Sequence, residues 1–335
     1  MIFEDYEYAK CCLPAHNKGK LHMKRYDVLA IGELNVDLIM TGLSRMPEIG
    51  REITGSSCSL VLGSSTAICA SGLARLGMNV GFIGKIGKDL FGEVVLEALK
   101  KNRIDTSHVI TESAISTGIT VSLSFQGDRA LVTCPGSIEE LSFEDIDLDV
   151  LNETRHIHVG SYFLQTKLRP GLSRLFRAAW ERGVTTSLDA GWDDTGVWNY
   201  QIGDVLSYTD FFFPNETEAL HITGCSTVKD AATALAKMTK AVIVKCGPDG
   251  ALAQFGNTQV VSETFNHLKP LDTTGAGDSF NAGFLYGHLQ HFSIETSLLY
   301  GNACGSISVT QIGGASSCPS LEEVEALIQG GKVDS

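Results

Sequence analysis

Residues 271–284 read "LDTTGAGDSFNAGF". Three small residues, Gly275, Ala276 and Gly277, stand directly before an acid, Asp278, and an apolar run follows. The first turn of a helix has backbone N–H groups without intrahelical partners and carries a partial positive charge. Capping alone explains an acid in that place. The same arrangement also binds a phosphate, because a turn without side chains lets an anion reach the N–H groups while the acid stands beside it. The remainder of the chain decides between the two.

Outward from this stretch, strand-like and helix-like segments alternate. "YDVLAIGE", from Tyr26, is a short apolar run ended by glycine, the pattern of a buried strand. "STAICASGLARLG" has small apolar residues at helical spacing and closes on Gly77 as a C-cap. "NVGFIGKIG" reads as another strand, and "DLFGEVVLEALKKN" as an amphipathic helix with an acid at its start and lysines at its end. The alternation repeats through "HIHVGSY", "RPGLSRLFRAAWERG", "VTTSLDA", "DFFFPNETEALHITG", "VKDAATALAKMTK" and "AVIVKCG". It predicts an α/β domain with a mostly parallel central sheet flanked by helices on both faces. Two stretches break the rule: 50–63 and 117–136 are strand-like with no helix between, and "ITVSLSF" and "RALVTC" flank "QGD" as a hairpin. Strands at approximately 36–62 and 115–135 predict a small β lid over a site. Residues 1–25 have mixed charge and no period, and read as an appendage to a domain over 26–335.

Composition narrows the function. The chain has 335 residues, 43% of them hydrophobic, enough for one large domain or two smaller ones. A formal net charge of −13 argues against binding nucleic acid through general electrostatics. No apolar run approaches the roughly 20 residues that span a bilayer, and no signal peptide is expected at the N-terminus. The nine cysteines are odd in number and form no CxxC pair. Cys69, Cys246 and Cys304 stand in apolar surroundings, where a thiol packs as a small hydrophobe. The expectation is neither zinc nor a disulfide framework, and a reducing cytoplasm as the location.

In an open α/β sheet, ligands bind beyond the C-terminal ends of the strands. Polar clusters fall at such ends: "GELNVD" with Asn35 and Asp37, "PNETE" with Asn215, "KCGPDG", and "DTTGAGD". Singly, each has a plain explanation as a turn former, a helix cap or a common turn. Together, in this order, they point to one site. No GxxxxGK[ST] P-loop is present, and no GxGxxG follows the first strand, which disfavours an NAD-dependent oxidoreductase.

These motifs resemble those of the ribokinase-like (PfkB) family of carbohydrate and nucleoside kinases, over roughly Tyr26 to Ile328. "DTTGAGDSFNAGF" is similar to the family's C-terminal signature almost letter for letter. "LGSSTAICASGLARLGMNVGFIGKIGKDLFGE" keeps the framework of the N-terminal signature, "PNETEA" resembles its Asn-x-x-Glu element, and "NACGSISVTQIGGA" its nucleotide-side helix and following loop.

The resemblance implies an ATP-dependent phosphotransferase acting on a hydroxyl of a small sugar or related polyol, with ATP and Mg²⁺ as cofactors. Asp278 would be the general base and Gly275-Ala276-Gly277 the anion hole. Glu218, with Asn215, would orient Mg²⁺ through water, since Mg²⁺ dehydrates reluctantly. Lys245, Gly247, Gly250 and Asn302 would lie on the ATP side. Asn35, Asp37, Gly63, Ser64, Ser65 and Thr66 would face the sugar. A K⁺ ion would sit behind the anion hole at Asp272, Thr274, Gly313, Gly314 and Ser317. The lid would pair two chains into a homodimer. The sequence departs from the family at three places. Ser64 replaces the second glycine of a Gly-Gly turn, Ile68 stands where many relatives carry a sugar-binding Asn, and Lys245 stands where many carry a hydroxyl residue. No Lys sits in the "GSSTA" turn, which favours a neutral sugar over a phosphorylated one. A nucleoside kinase and a non-catalytic sugar-sensing relative are the alternatives.

Overall fold

The computed structural model describes residues 24–125, 128–198 and 201–330. The strands are β1 (Tyr26–Ile31), β2 (Asn35–Thr41), β3 (Ser57–Leu62), β4 (Val80–Gly87), β5 (Asp105–Glu112), β6 (Gly118–Phe125), β7 (Asp128–Cys134), β8 (Thr154–Val159), β9 (Thr185–Asp189), β10 (Phe211–Phe213), β11 (Ala241–Lys245), β12 (Ala251–Phe255) and β13 (Thr258–Ser262). The helices are α1 (Ser65–Arg75), α2 (Leu90–Lys101), α3 (Arg169–Glu181), α4 (Ile202–Leu206), α5 (Glu216–Thr223), α6 (Val228–Leu235), α7 (Ala276–Leu289), α8 (Ile294–Ser308) and α9 (Leu321–Gly330).

Nine strands form one sheet in the order β13-β12-β11-β10-β9-β8-β1-β4-β5. From β11 to β5 every pairing is parallel; only the β11–β12 and β12–β13 pairings are antiparallel. Parallel neighbours need crossover connections, and here helices supply them on both faces. The alternation of β1 shows the two faces directly. Val28 and Ala30 join one apolar cluster, with Leu73, Val95, Phe284, Leu298 and Val324 from α1, α2, α7, α8 and α9. Leu29 and Ile31 join the other, with Leu172, Ile202, Ala219 and Ala231 from α3 to α6.

A second sheet of four strands, β3-β2-β6-β7, stands apart as the expected lid. β6 and β7 pair as the antiparallel hairpin read from the sequence, down to Phe125 opposite Asp128; Gln126 and Gly127 of its turn lie outside the described residues. The strand expected from residue 50 starts only at Ser57. Its partner β2 ends at Thr41 and turns at Gly42, with φ +69°, so the backbone before Ser56 has no strand to pair with. The appendage expected over 1–25 lies outside the described residues through Met23, and Arg25 pairs with Asp105 at 2.6 Å. The polar edge strand β5 and the β12–β13 hairpin were not read from the sequence. Among the described residues no helix is long and apolar enough to cross a membrane.

Glycines set the closest helix contacts. A Cβ on Gly72 of α1 would meet the Cβ of Ala282 on α7 at 2.7 Å. A Cβ on Gly283 of α7 would stand 2.4 Å from the carbonyl oxygen of Tyr300 and 2.7 Å from Cys304 Sγ on α8. Helices this close tolerate no added branch without moving apart. The variant Gly283→Val is expected to lose about 1–3 kcal/mol of stability by overpacking, read as a lower Tm; an unchanged Tm would show that α7 and α8 separate at no cost.

Candidate active site

The quoted Gly-rich stretch forms the N-terminus of α7, with Gly275 as N-cap at φ +75° and Asp278 in the first turn. A side chain on Gly275 would come within 2.9 Å of Gly314 Cα and 3.0 Å of Ile68 Cγ2. The turn is therefore bare because it is wedged between α1 and the loop before α9. The close α1–α7 contact puts the N-termini of both helices side by side, and Ser65 Oγ donates to Asp278 Oδ1. Burial, and then the negative charge of Asp189, push the Asp278 carboxyl up to about 7, against the pull of Lys245 and the Ser65 hydrogen bond.

Asp278 opens into a cavity of about 220 Å³ between the body and the lid. Asn35, Asp37, Thr120, Ser122, Leu131 and Thr133 line it from the lid. Glu33, Ser64, Ser65, Ile68, Ile138, Ser161 and Leu164 line it from the body, and Thr274 and Gly275 from the Gly-rich turn. No Lys or Arg is among the described lining residues. Strand register explains the lid's polar face: Asp37 lies opposite Thr120, and Thr120 opposite Thr133, so the three point one way. Asn35 Nδ2 donates to Asp37 Oδ1 at 2.9 Å. Gly63 makes room for that pair, since a Cβ there would stand 2.2 Å from Asp37 Oδ1.

Two residues expected to face the sugar are bonded to Glu33, Thr66 behind the cavity wall and Ser64 on it. Thr66 is fully buried, does not line the cavity, and donates through Oγ1 to Glu33 Oε2 at 2.6 Å. Ser64 holds the left-handed backbone of the glycine it replaces, at φ +70°. Its hydroxyl donates to the Glu33 carbonyl at 2.7 Å and accepts from Ala67 N at 2.9 Å as the cap of α1. The cause of both is Glu33, a carboxylate 2% exposed that needs donors around it. Burial raises its pKa, while Thr66 and Ser161 donate to its charged form. Of the "GSST" run, Ser65 is the hydroxyl that reaches the carboxylate of Asp278.

On the other side of Asp278, Asn215 and Glu218 form a capping box at the start of α5. Asn215 N donates to Glu218 Oε2 at 2.8 Å, Asn215 Nδ2 to Oε1 at 2.8 Å, and Glu218 N to Asn215 Oδ1 at 2.9 Å. The cap and the site are thus the same residues. Burial, and then Asp189, push Glu218 up to about 8. Lys245 ends β11 with its Nζ 3.4 Å from where a Cβ on Gly277 would stand, beside the bare turn. Gly247, at φ +53°, borders open space, whereas a Cβ on Gly250 would clash with Ser262 O at 2.1 Å. Gly250 is small for the sake of β13. Asn302 is buried, and its Nδ2 donates at 3.0 Å to Ser262 O, Ser262 Oγ and Glu263 O. Its amide thus braces the end of β13.

The residues expected around K⁺ come together. Asp272 Oδ1 accepts from Thr274 N at 2.9 Å, and Asp272 Oδ2 from Gly313 N at 3.0 Å, joining the two loops. Ser317 Oγ donates to Gly314 O at 2.9 Å. The sequence reading missed Glu33, Thr120, Ser122, Thr133, Ser161 and Asp189. Alternating hydroxyls in "GITVSLS" and an acid closing "TTSLD" at a strand's C-terminal end were the available signals.

An acid at a bare helix N-terminus thus lies under a polar lid at the C-terminal ends of a parallel sheet, an arrangement that suits a small-molecule kinase of the ribokinase-like class. The model for the pfkB family of carbohydrate kinases matches residues 25–321, and the chain belongs to that family. It is 29% identical to the 5-dehydro-2-deoxygluconokinase of Geobacillus thermodenitrificans, over 91% of this chain and 94% of that protein. It is 28% identical to the ribokinase of Haemophilus influenzae, over 89% and 97%. A putative ribokinase II from E. coli, solved in complex with ATP and Mg²⁺, superimposes with a TM-score of 0.81 at 25% identity, covering 91% of this chain and 99% of that one.

The Asp278 carboxyl accepts a proton only when ionised, and its pKa is raised to about 7. With Asp278 as proton acceptor, kcat/KM is expected to fall as pH drops through that value, approaching about tenfold per pH unit on the acid limb. A pH–rate profile checks this; a flat profile down to about pH 5 would remove Asp278 from that role.

Proposed function

We propose that this carbohydrate kinase transfers the γ-phosphoryl group of ATP to a hydroxyl of a neutral sugar or polyol held in the lid cavity. The observation that carries the reading is the Asp278 carboxylate, which joins the cavity to the bare Gly275-Ala276-Gly277 turn. Asp278 takes the proton of the acceptor hydroxyl, the oxygen attacks the γ-phosphorus, and the bond to the β-phosphate oxygen breaks to release ADP. The N–H groups of the turn receive the charge that develops on the transferred group. Asp37, paired with Asn35, accepts from sugar hydroxyls. Three carboxylates on the cavity wall, Glu33, Asp37 and Asp278, with no Lys or Arg among the described lining residues, disfavour a substrate carrying a carboxylate or phosphate.

Both Glu218 oxygens are engaged by Asn215, which suits holding Mg²⁺ through water. Glu218 and Asn215 would hold Mg²⁺ there, and it would supply charge to offset that of the phosphates. The loops joined by Asp272 would offer K⁺ their carbonyls. A nucleoside is the second reading, favoured by the apolar cavity residues Ile68, Leu131, Ile138 and Leu164.

The lid also supports a homodimer. Leu60, Leu38, Val121 and Val132 lie opposite one another across the four strands, on the face away from Asp37. Val132 is 66% exposed. An apolar row between two sheet edges is a natural pairing surface. Val132→Glu is expected to yield monomer by sedimentation; an unchanged sedimentation coefficient would rule this face out.

Function is tested by assaying the purified chain with Mg²⁺ and ATP against neutral sugars, sugar acids, sugar phosphates and nucleosides, in K⁺ and Na⁺ buffers. Neutral sugars should turn over. Asp278→Asn should lower kcat by about 10²–10⁴-fold with folding intact, and Asp37→Ala should raise the KM for sugar while leaving that for ATP unchanged. An Asp278→Asn protein that keeps more than about a tenth of the wild-type rate would reduce Asp278 to a helix cap.

A further inference from the structure

Asp189 closes β9 and is 4% exposed. Its Oδ2 accepts from Lys245 Nζ at 2.5 Å and from Asn281 Nδ2 at 2.7 Å, and its Oδ1 from Gly191 N at 3.0 Å. The donors come from three places: the end of β11, the helix α7 that carries Asp278, and the turn after β9. Lys245 reaches across the end of β10 to make its bond. The ammonium so held lies beside Gly277, the residue before Asp278.

We propose that Asp189 is a positioning residue for phosphoryl transfer, fixing the Lys245 ammonium against the Gly275-Ala276-Gly277 turn where the transferring phosphate arrives. The proposal rests on the kinase reading above and deepens it. Charge gives the first reason. Glu33, Asp37, Asp189, Glu218 and Asp278 crowd this end of the sheet, and Lys245 is the cation that Asp189, Glu218 and Asp278 all attract. A lysine stem has four rotatable bonds, and left free it would settle on Asp278 and quench the carboxylate that must accept a proton. Asp189 holds it one residue short of that contact. The second reason is preorganisation: a cation already in place needs no ordering when the phosphate develops charge. The third is that Lys245 is not the sole donor to Asp189: when the ammonium turns towards a phosphate, Asn281 and the Gly191 N–H still hydrogen-bond the carboxylate, and the ammonium stays close enough to offset its charge.

A double-mutant cycle tests this in the full chain, with a neutral sugar that the wild type turns over. Asp189→Asn keeps the size and one acceptor but loses the charge that holds Lys245. It should lower kcat about 10- to 100-fold while the KM for sugar stays within about twofold. Lys245→Met should lower kcat by about the same factor, and adding Asp189→Asn to it should change kcat by less than about threefold. Effects that multiply would overturn the proposal, because the two residues would then act separately. So would an Asp189→Asn protein with a lower Tm but wild-type kcat, the behaviour of a purely structural ion pair. Lys245→Met strands a buried carboxylate, and if it does not fold, Asp189→Asn is compared with Asp189→Asn/Lys245→Met, which has no unpaired charge. Near-equal kcat supports positioning; a further loss of about tenfold overturns it. A wild type with no turnover on any sugar or nucleoside overturns the kinase reading itself, whereas an active wild type with multiplying effects overturns the positioning role alone.

Discussion

Two helices far apart in sequence, Ser65–Arg75 and Ala276–Leu289, touch because Gly72 has no side chain to hold Ala282 away. That contact sets their N-termini side by side. The cap of the first helix and the Gly-rich turn of the second then share one corner, where Ser65 donates to Asp278. Ile68, one turn into the first helix, presses on Gly275 and Gly314 and makes bareness compulsory at both. The Gly-rich turn is thus shaped from behind by packing. The order of the site depends on a small-residue stripe that carries no chemistry of its own.

Electrostatics follows from that crowding. Three strand ends and two helix starts converge, and with them come several carboxylates in a partly dry space. Such groups coexist only when some are paired, some are saturated with hydrogen bonds, and some take up protons more readily. All three solutions are present. Asp189 pairs with Lys245, which keeps its titration low despite burial. Glu33 is surrounded by Ser64, Thr66 and Ser161. Asp278 bears the remaining cost as a raised pKa, which brings the carboxyl that we propose as general base near neutrality.

The lid obeys a different rule. β2 and β6 pair in parallel, though they belong to distant parts of the chain, and each then adds an antiparallel neighbour. Period-two alternation sorts the side chains. Hydroxyls and Asp37 turn to the cavity, and Leu38, Leu60, Val121 and Val132 turn away from it. A single sheet thereby walls the cavity and offers an apolar outer face.

The alternation of apolar runs and helical periods determined the α/β sheet with helices on both faces, and Gly-Asp between two alternating stretches determined the lid hairpin, because these patterns depend on neighbours in sequence. The Gly-rich stretch likewise announced a helix start with an acid in its first turn. The fate of individual polar side chains was a different matter. Thr66 looked like a sugar ligand until the fold brought Glu33 to it from 33 residues away, and Ser64, which does line the cavity, bonds the same Glu33, because a buried carboxylate claims the nearest donors. Asn302 and Gly250 were read as nucleotide-side residues, and the contact of both with the end of β13 could not be read along the chain. Asp189 drew no attention as the last letter of "TTSLD", because its partners Lys245 and Asn281 lie 56 and 92 residues further on. Periodicity is local and can be read along the chain. Which donor meets which acceptor, and hence which carboxylate stays free to do chemistry, is settled only when strand order and helix packing bring remote residues within hydrogen-bond distance.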